Sequence, residues 1–196
     1  MTERKAKVIR ETAETNVKVE LNIDGRGEFE ITTGIRMVDH FLTQLAQHGA
    51  FDIKISASGA DQHHVVEDVA ISLGKAFNQA LGQKRGIIRM AHAVVPMDEA
   101  LSAVAVDIGG RGYSVVEASF SKDKIGELCV DLIRHFLVSF ASEAKINLHA
   151  KVINGINDHH KAEALFKALG RALDAATQID ERIVDKVPST KEIIES

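Results

Sequence analysis

The chain has 196 residues, with 24 lysines and arginines against 28 acidic residues and a formal net charge of −4. That length suits one domain or two small fused ones. The mild acidity and the lack of a basic stripe argue against a nucleic-acid partner. We expect no signal peptide from the polar N-terminus, and no apolar run predicts a membrane span. The lone cysteine, Cys129, cannot form an internal disulfide, which favours a reducing cytoplasm.

The first half carries signals for two strands, a helix, a third strand and a second helix. Apolar residues alternate over 16–23 and predict a strand, which ends in a turn at 24–27. A return strand is predicted over 27–33. The remaining predicted elements are a helix over 38–48, a strand over 51–57 and a helix over 65–82.

The second half repeats this order after a longer connection. The turn at 24–27 aligns with 109–112 at an offset of 85 residues, whereas the tandem histidines at 63–64 align with 159–160 at an offset of 96. The difference indicates extra residues over roughly 113–125. The predicted elements of this half are a strand over 101–108, a helix over 125–144, a strand over 146–153 and a helix over 161–179.

These matches indicate a tandem duplication. The predicted fold class is α+β, with two similar half-domains, each a small sheet with helices on one face. We place the first half at residues 1–92 and the second at 93–196, and expect the two to form one catalytic domain. The strand order within each sheet does not follow from the pattern.

Histidine and glutamate recur at repeat-related positions. A His-His-x-x-Glu motif occupies 63–67 and again 159–163, where a loop enters a predicted helix. Residues three and four apart share a helix face, so the glutamate reaches the same space as either histidine. Such ligands suit Mn²⁺, Fe²⁺ or Zn²⁺, and the lack of cysteine favours Mn²⁺. The first predicted helix of each half offers a further histidine. Pseudo-twofold symmetry then predicts two sites, each with about three histidines and one glutamate.

Seven motifs in order along residues 4–191 carry a family resemblance. They are Arg10-x-Thr12-x-Glu14-Thr15, Asp39-His40-Phe-Leu-x-Gln44-Leu, Asp61-x-His63-His64-x-x-Glu67-Asp68, Pro96-Met97-Asp98-Glu99-Ala, Asn147-Leu-His149, Gly155-x-Asn157-x-His159-His160-x-x-Glu163-Ala-x-Phe166-Lys167-Ala and Pro188-Ser189-Thr190-Lys191. With these motifs the chain resembles imidazoleglycerol-phosphate dehydratase, which removes water from D-erythro-imidazoleglycerol phosphate in histidine biosynthesis.

The resemblance implies a homo-oligomer of 24 subunits, with active sites between subunits and two Mn²⁺ per site. It implies the metal ligands His40, His63, His64, Glu67, His135, His159, His160 and Glu163. It implies Glu14 as the catalytic base. The substrate- and phosphate-binding residues that it implies are Gln44, Arg89, Arg111, Lys167, Ser189 and Lys191. Gly112 and Glu192 depart from the family pattern beside this phosphate group, and Glu192 adds a negative charge there.

The reaction must remove a carbon-bound proton that no carbonyl acidifies. The resemblance implies a route through the ring: a metal on a ring nitrogen favours an imidazolate, which expels hydroxide from the adjacent carbon. Loss of the C2 proton to Glu14 then gives an enol and, after tautomerisation, imidazole acetol phosphate. Two other classes remain open, a dinuclear metallohydrolase and a non-catalytic metal-binding shell protein. The first is disfavoured by the scarcity of clustered aspartates, and the second by the anion-binding residues.

Overall fold

The computed structural model describes residues 3–194. The first half contains β1 (Lys5–Glu11), β2 (Thr15–Asn22), β3 (Phe29–Thr32), α1 (Arg36–Gly49), β4 (Asp52–Gly59) and α2 (Gln62–Leu81). The second half contains β5 (Met90–Met97), β6 (Ala100–Asp107), β7 (Tyr113–Glu117), β8 (Lys124–Ile125), β9 (Leu128–Cys129), α3 (Asp131–Ala144), β10 (Asn147–Asn154) and α4 (Asp158–Thr177). A short 3-10 helix follows at Glu181–Ile183.

Each half forms one four-stranded sheet with the same strand order. The first sheet has the order β1-β2-β4-β3 and the second β5-β6-β10-β7. In each sheet the last strand is parallel to its neighbour, and the other pairs are antiparallel. The registers also agree, since Lys7 pairs with Glu20 as His92 pairs with Ala105. The predicted α+β fold with duplicated half-domains is confirmed.

Three details of the predicted elements were wrong. The structure adds an edge strand to each sheet, β1 and β5, where one side of the strand is half-buried and the other exposed. β3 does not return beside β2; it runs parallel to β4, because α1 provides the long crossover that parallel strands require. α3 begins at Asp131 and not near 125. The boundary between residues 92 and 93 stays a prediction; these residues lie within β5, the first strand of the second sheet.

The four helices pack between the sheets, and the two halves share them. α2 lies on β1 and β2, and α4 lies on β5 and β6, while α1 packs on α4 and α3 packs on α2. The helices approach closely at two repeat-related glycines: a Cβ at Gly170 would lie 2.6 Å from the carbonyl oxygen of Leu45, and one at Gly74 would lie 2.7 Å from that of Phe140. Each of the four helices therefore lies against a helix of the other half.

None of the helices within residues 3–194 is both long and apolar enough to cross a membrane.

The extra residues of the second half lie after β7 and include the hairpin β8–β9. One of their side chains caps α1, and their backbone donates hydrogen bonds to the first residue of α4. Glu127 Oε1 accepts a hydrogen bond from Met37 N at 2.9 Å, at the start of α1, where the N-cap residue Ile35 provides no side-chain bond. Asp158, the first residue of α4, accepts hydrogen bonds from the backbone of Ser121 and Lys122. The insertion thus joins the starts of α1 and α4.

Candidate active site

The tandem histidines lie in the first turns of α2 and α4. Asp61 caps α2, and its Oδ1 accepts hydrogen bonds from the backbone N of His63 (2.8 Å) and His64 (3.3 Å). Asn157 caps α4 in the same way through His159 N at 2.9 Å. Polar N-cap residues of this kind satisfy the free amides of a helix start. The caps set the direction in which each histidine leaves its helix.

One group of ligand-type side chains, which we call the buried cluster, consists of His40, His159 and Glu163. The Nε2 atoms of both histidines lie 3.0 Å from Glu163 Oε2. Their rings stack with centroids 5.0 Å apart. The side chain of Glu163 is only 8% exposed. Two imidazoles and a carboxylate therefore converge on one point.

The second group, the open cluster, consists of His63, Glu67 and His135. The two imidazole rings stack with centroids 4.6 Å apart. His135 Nε2 lies 3.4 Å from Glu67 Oε1 and is buried without a hydrogen-bond partner. Buried polar atoms in native proteins almost always have a partner, so this nitrogen is placed as a ligand would be. In each cluster, one possible ligand atom per residue lies within 4.8 Å of the others.

Each cluster combines both halves of the chain. His40 comes from α1 and meets two residues of α4, whereas His135 comes from α3 and meets two residues of α2. The crossed arrangement follows from the packing of α1 on α4 and of α2 on α3. A third histidine, expected for each site from the other tandem pair, is not part of either cluster within one chain.

The charge around the two glutamates differs. Burial alone would raise the pKa of Glu163, but Lys167 Nζ at 2.6 Å and the histidines outweigh it and hold that pKa at about 2. The position equivalent to Lys167 in the first half is Ile71, so Glu67 has no lysine one turn away on α2. Lys167 thus belongs to the buried cluster, where it also contacts Met97 Sδ at 3.4 Å. Gln44 lies on α1 one turn after His40.

His64 and His160 lie outside the clusters, each beside a repeat-related glutamate. His160 Nδ1 lies 2.8 Å from Glu99 Oε2, and His64 Nε2 lies 3.5 Å from Glu14 Oε2. The hydrogen bond with His160 lowers the pKa of Glu99 to about 2, and the same contact raises the pKa of His160. Glu14 is more open, with a side chain that is 61% exposed.

The expected phosphate-binding residues lie elsewhere in the chain. Arg89 donates bidentate hydrogen bonds to the carboxylate of Asp107, at 2.7 and 3.2 Å. It also donates to the carbonyl oxygen of Pro188 at 2.7 Å. This joins the loop before Arg111 to the segment that contains Ser189, whose Oγ accepts from Lys191 N. Arg111 and Lys191 are exposed. We call the four residues of this region the anion group. Its members are Arg89, Arg111, Ser189 and Lys191.

The anion group is far from the buried cluster of the same chain. Arg89 N donates to the carbonyl oxygen of Ala176 near the end of α4, whereas His159 lies at its start. At 1.5 Å per residue this separation is roughly 25 Å. The structure brings Lys167 to the buried cluster and not to the anion group.

Two aspartates were not assigned a role from the sequence. Buried Asp68 accepts hydrogen bonds from Arg10, at 2.7 Å, and from Thr15, and so fixes the strand start that follows Glu14. Asp107 orients Arg89, as described above. The signal for Asp68 was its place among apolar residues on α2, where an acidic side chain must find a partner.

Comparisons with known proteins agree with the resemblance. Residues 33–173 match the family described as imidazoleglycerol-phosphate dehydratase. A protein of that name from Dehalococcoides mccartyi (strain CBDB1) is 57% identical over 196 residues, which is 100% of both chains. Another from Roseiflexus sp. (strain RS-1) is 55% identical and covers 97% of this chain and 98% of its own.

Solved structures give the same result. Imidazoleglycerol-phosphate dehydratase from Staphylococcus aureus subsp. aureus N315 superposes with a TM-score of 0.83 at 32% identity, covering 90% of this chain and 99% of its own. The enzyme from Pyrococcus furiosus, in complex with (S)-C348, has a TM-score of 0.83 at 35% identity, covering 95% and 99%. The chain therefore belongs to the imidazoleglycerol-phosphate dehydratase family, the dehydratases of histidine biosynthesis.

Proposed function

We propose that this chain converts D-erythro-imidazoleglycerol phosphate to imidazole acetol phosphate and water, using two Mn²⁺ per active site. The observation that carries the proposal is the pair of His-His-Glu clusters, each built from both halves. The buried, unpartnered Nε2 of His135 supports a metal at the open cluster. Imidazole and carboxylate without thiolate suit Mn²⁺.

The proposed ligands of one metal are His40, His159 and Glu163, and those of the other are His63, Glu67 and His135. His64 and His160 complete the sites of neighbouring subunits, because each lies outside the clusters of its own chain. The remaining coordination positions of an octahedral ion stay open to water or substrate.

The distance of the anion group from the buried cluster supports an active site between subunits. A small substrate cannot reach across roughly 25 Å, so Arg89 and its neighbours serve the phosphate of a substrate held at another subunit's metals. Guanidinium and ammonium groups are suitable donors to a phosphate. We propose a homo-oligomer of 24 subunits in the cytoplasm.

The side chains divide the chemistry among them. A Mn²⁺ ion held by these ligands would supply Lewis acidity to the imidazole ring of the substrate. The exposed carboxylate of Glu14 removes the C2 proton, while hydroxide leaves the carbon bonded to the ring. The resulting enol tautomerises to the ketone, so the balance is loss of one water. Lys167, which contacts Glu163, and Gln44, one turn after His40 on α1, orient the substrate's polar groups.

The proposal is tested with purified protein that is stripped of metal and then reloaded with Mn²⁺. On addition of imidazoleglycerol phosphate we expect ketone formation only in the reloaded sample, with no inorganic phosphate released. Release of phosphate would instead indicate a hydrolase, and metal binding without turnover would indicate a shell protein. Full activity in the presence of a chelator would contradict the proposal.

The shared active site has its own test. Glu14→Gln and Arg89→Gln are each expected to be inactive, and the two variants are mixed during metal-driven reassembly. If the two residues of one site come from different subunits, some sites in the mixed oligomer are intact and activity returns. Mixing after assembly is the control. No recovery after joint reassembly would place both residues of a site in the same chain.

A further inference from the structure

The repeat-related glutamates, Glu14 and Glu99, contact opposite nitrogens of their histidines. Glu99 Oε2 lies 2.8 Å from Nδ1 of His160, whereas Glu14 Oε2 lies 3.5 Å from Nε2 of His64. The first distance is that of a charge-assisted hydrogen bond, and the second is longer than an ordinary one. The two repeat-related carboxylates thus lie at different ring nitrogens, Glu99 at Nδ1 and Glu14 at Nε2.

Glu99 is held in place by the backbone as well. Its Oε1 accepts hydrogen bonds from Ile156 N (3.1 Å) and Asn157 N (2.7 Å), and Asn154 donates to its carbonyl oxygen at 2.9 Å. These contacts join the turn between β5 and β6 to the loop that leads into α4. Because these contacts hold Glu99 in place, its hydrogen bond fixes the orientation of the His160 ring.

The contact also fixes the tautomer of His160. An ionised carboxylate only accepts hydrogen bonds, so Nδ1 of His160 must carry the proton. The lone pair of a neutral ring then resides on Nε2, at the far side of the ring from Glu99. A carboxylate behind a histidine in this way orients the ring and increases the basicity of the ligand nitrogen.

We propose that Glu99 is a positioning residue that presents Nε2 of His160 as a metal ligand. Glu14 does not orient a histidine in this way and acts on the substrate. This rests on the proposed function, in which His160 binds a metal of a neighbouring subunit. The position of Glu14 fits the division: it is 61% exposed and lies at the ligand end of His64, where a substrate on the same metal would be.

Glu99→Gln is the sharpest test, because it separates positioning from a simple structural role. Glutamine keeps an oxygen for the amides of residues 156 and 157, but its NH₂ group faces Nδ1 and moves the ring proton to Nε2. Glu99→Ala loses both loop contacts but leaves the tautomer free. A purely structural role predicts that Glu99→Ala loses more Mn²⁺ affinity than Glu99→Gln. A positioning role predicts that Glu99→Gln loses at least as much as Glu99→Ala.

Two readouts are used besides activity. In the metal-free protein, ¹⁵N NMR of labelled histidine, assigned with His160→Gln, is expected to show the Nδ1–H form of His160 in wild type and the Nε2–H form in Glu99→Gln. Competition with a chromogenic chelator is expected to show Mn²⁺ affinity about 10–100-fold weaker in Glu99→Gln. Glu14→Gln is the matched control and is expected to keep its Mn²⁺ affinity while losing turnover.

The outcomes separate this proposal from the proposed function. If His160→Gln weakens Mn²⁺ binding but Glu99→Gln does not, the positioning role is overturned and the ligand assignment stands. If His160→Gln leaves Mn²⁺ affinity unchanged, both the ligand assignment and the positioning role are overturned. An Nε2–H tautomer in wild type, or equal loss of metal in Glu14→Gln, also contradicts the proposal.

Discussion

The buried and open clusters contain the same three residue types at repeat-related positions, yet their surroundings differ. Glu163 is enclosed and lies 2.6 Å from Lys167, whereas Glu67 is 36% exposed and the equivalent lysine position is Ile71. The adjacent glutamates differ in the same way, since Glu99 is anchored by backbone amides and Glu14 is open. Duplication preserved the candidate ligands, while the residues around them diverged.

The outer faces of the sheets show a similar divergence. One row across the first sheet reads Lys7, Glu20, Lys54 and Glu30, and the equivalent row of the second sheet reads His92, Ala105, His149 and Val115. The inner faces both remain apolar. Packing against the shared helices constrains one side of each sheet, and the other side was free to change.

The largest effect is expected from Glu14→Gln. Glutamine is nearly isosteric but accepts no proton at neutral pH, so turnover should fall about 10²–10⁴-fold, the usual cost of losing a general base. Metal content and substrate binding should remain. Glu11→Gln, at an exposed acid at the end of β1, is the control for turnover. Turnover of more than about a tenth of wild type would place the base elsewhere, and loss of metal would make Glu14 a ligand.

A smaller effect, confined to one cluster, is expected from Lys167→Met. Without the ammonium group, burial disfavours the ionised form of Glu163 that a metal requires. Mn²⁺ affinity at the buried cluster should fall about 10–100-fold, as for other residues that orient a ligand, while the open cluster is unaffected. A Mn²⁺ titration with two resolved steps measures this, with Lys75→Met on α2 as the control. If Lys167→Met weakened Mn²⁺ binding equally in both steps, Lys167 would not act on the buried cluster alone.

The shared helix packing predicts a loss of stability when a helix contact is overfilled. Gly170→Ala would place a Cβ 2.6 Å from the carbonyl oxygen of Leu45, so the helices must separate. We expect the free energy of unfolding to fall by about 1–3 kcal/mol, the usual cost of overpacking. Chemical denaturation checks this, with the exposed neighbour Arg171→Ala as the control. A variant as stable as wild type would show that α1 and α4 adjust freely.

The smallest effect concerns the hairpin β8–β9 of the second half. Glu127→Ala removes the cap from α1 and should cost about 0.5–2 kcal/mol at neutral pH. The hydrogen bond from Met37 N lowers the pKa of Glu127, so its contribution is present above the unfolded pKa and is lost as pH falls through the folded one. Denaturation of wild type and variant at neutral and acidic pH should therefore converge. A difference that persists in acid would mean that the charge of Glu127 is not the cause.

The sequence predicted most of the repeat because alternation and helical spacing reflect burial on the inner faces. It missed β1 and β5, since an edge strand that is only half-buried has a weak pattern. It could not place β3, because strand order depends on the crossover and not on local periodicity. The tandem histidines and glutamates were recognised from their duplication alone. That His40 meets Glu163, and not Glu67, depends on how helices of opposite halves pack, which no local spacing encodes.

We propose that each chain contributes two different metal sites, one at each cluster. Manganese titration of the stripped protein, followed by electron paramagnetic resonance, counts them directly. We predict two equivalents per chain in wild type and one each in His40→Ala and His135→Ala, with different residual affinities in the two variants. Retention of both equivalents in either variant, or the absence of bound Mn²⁺ in wild type, would contradict the account.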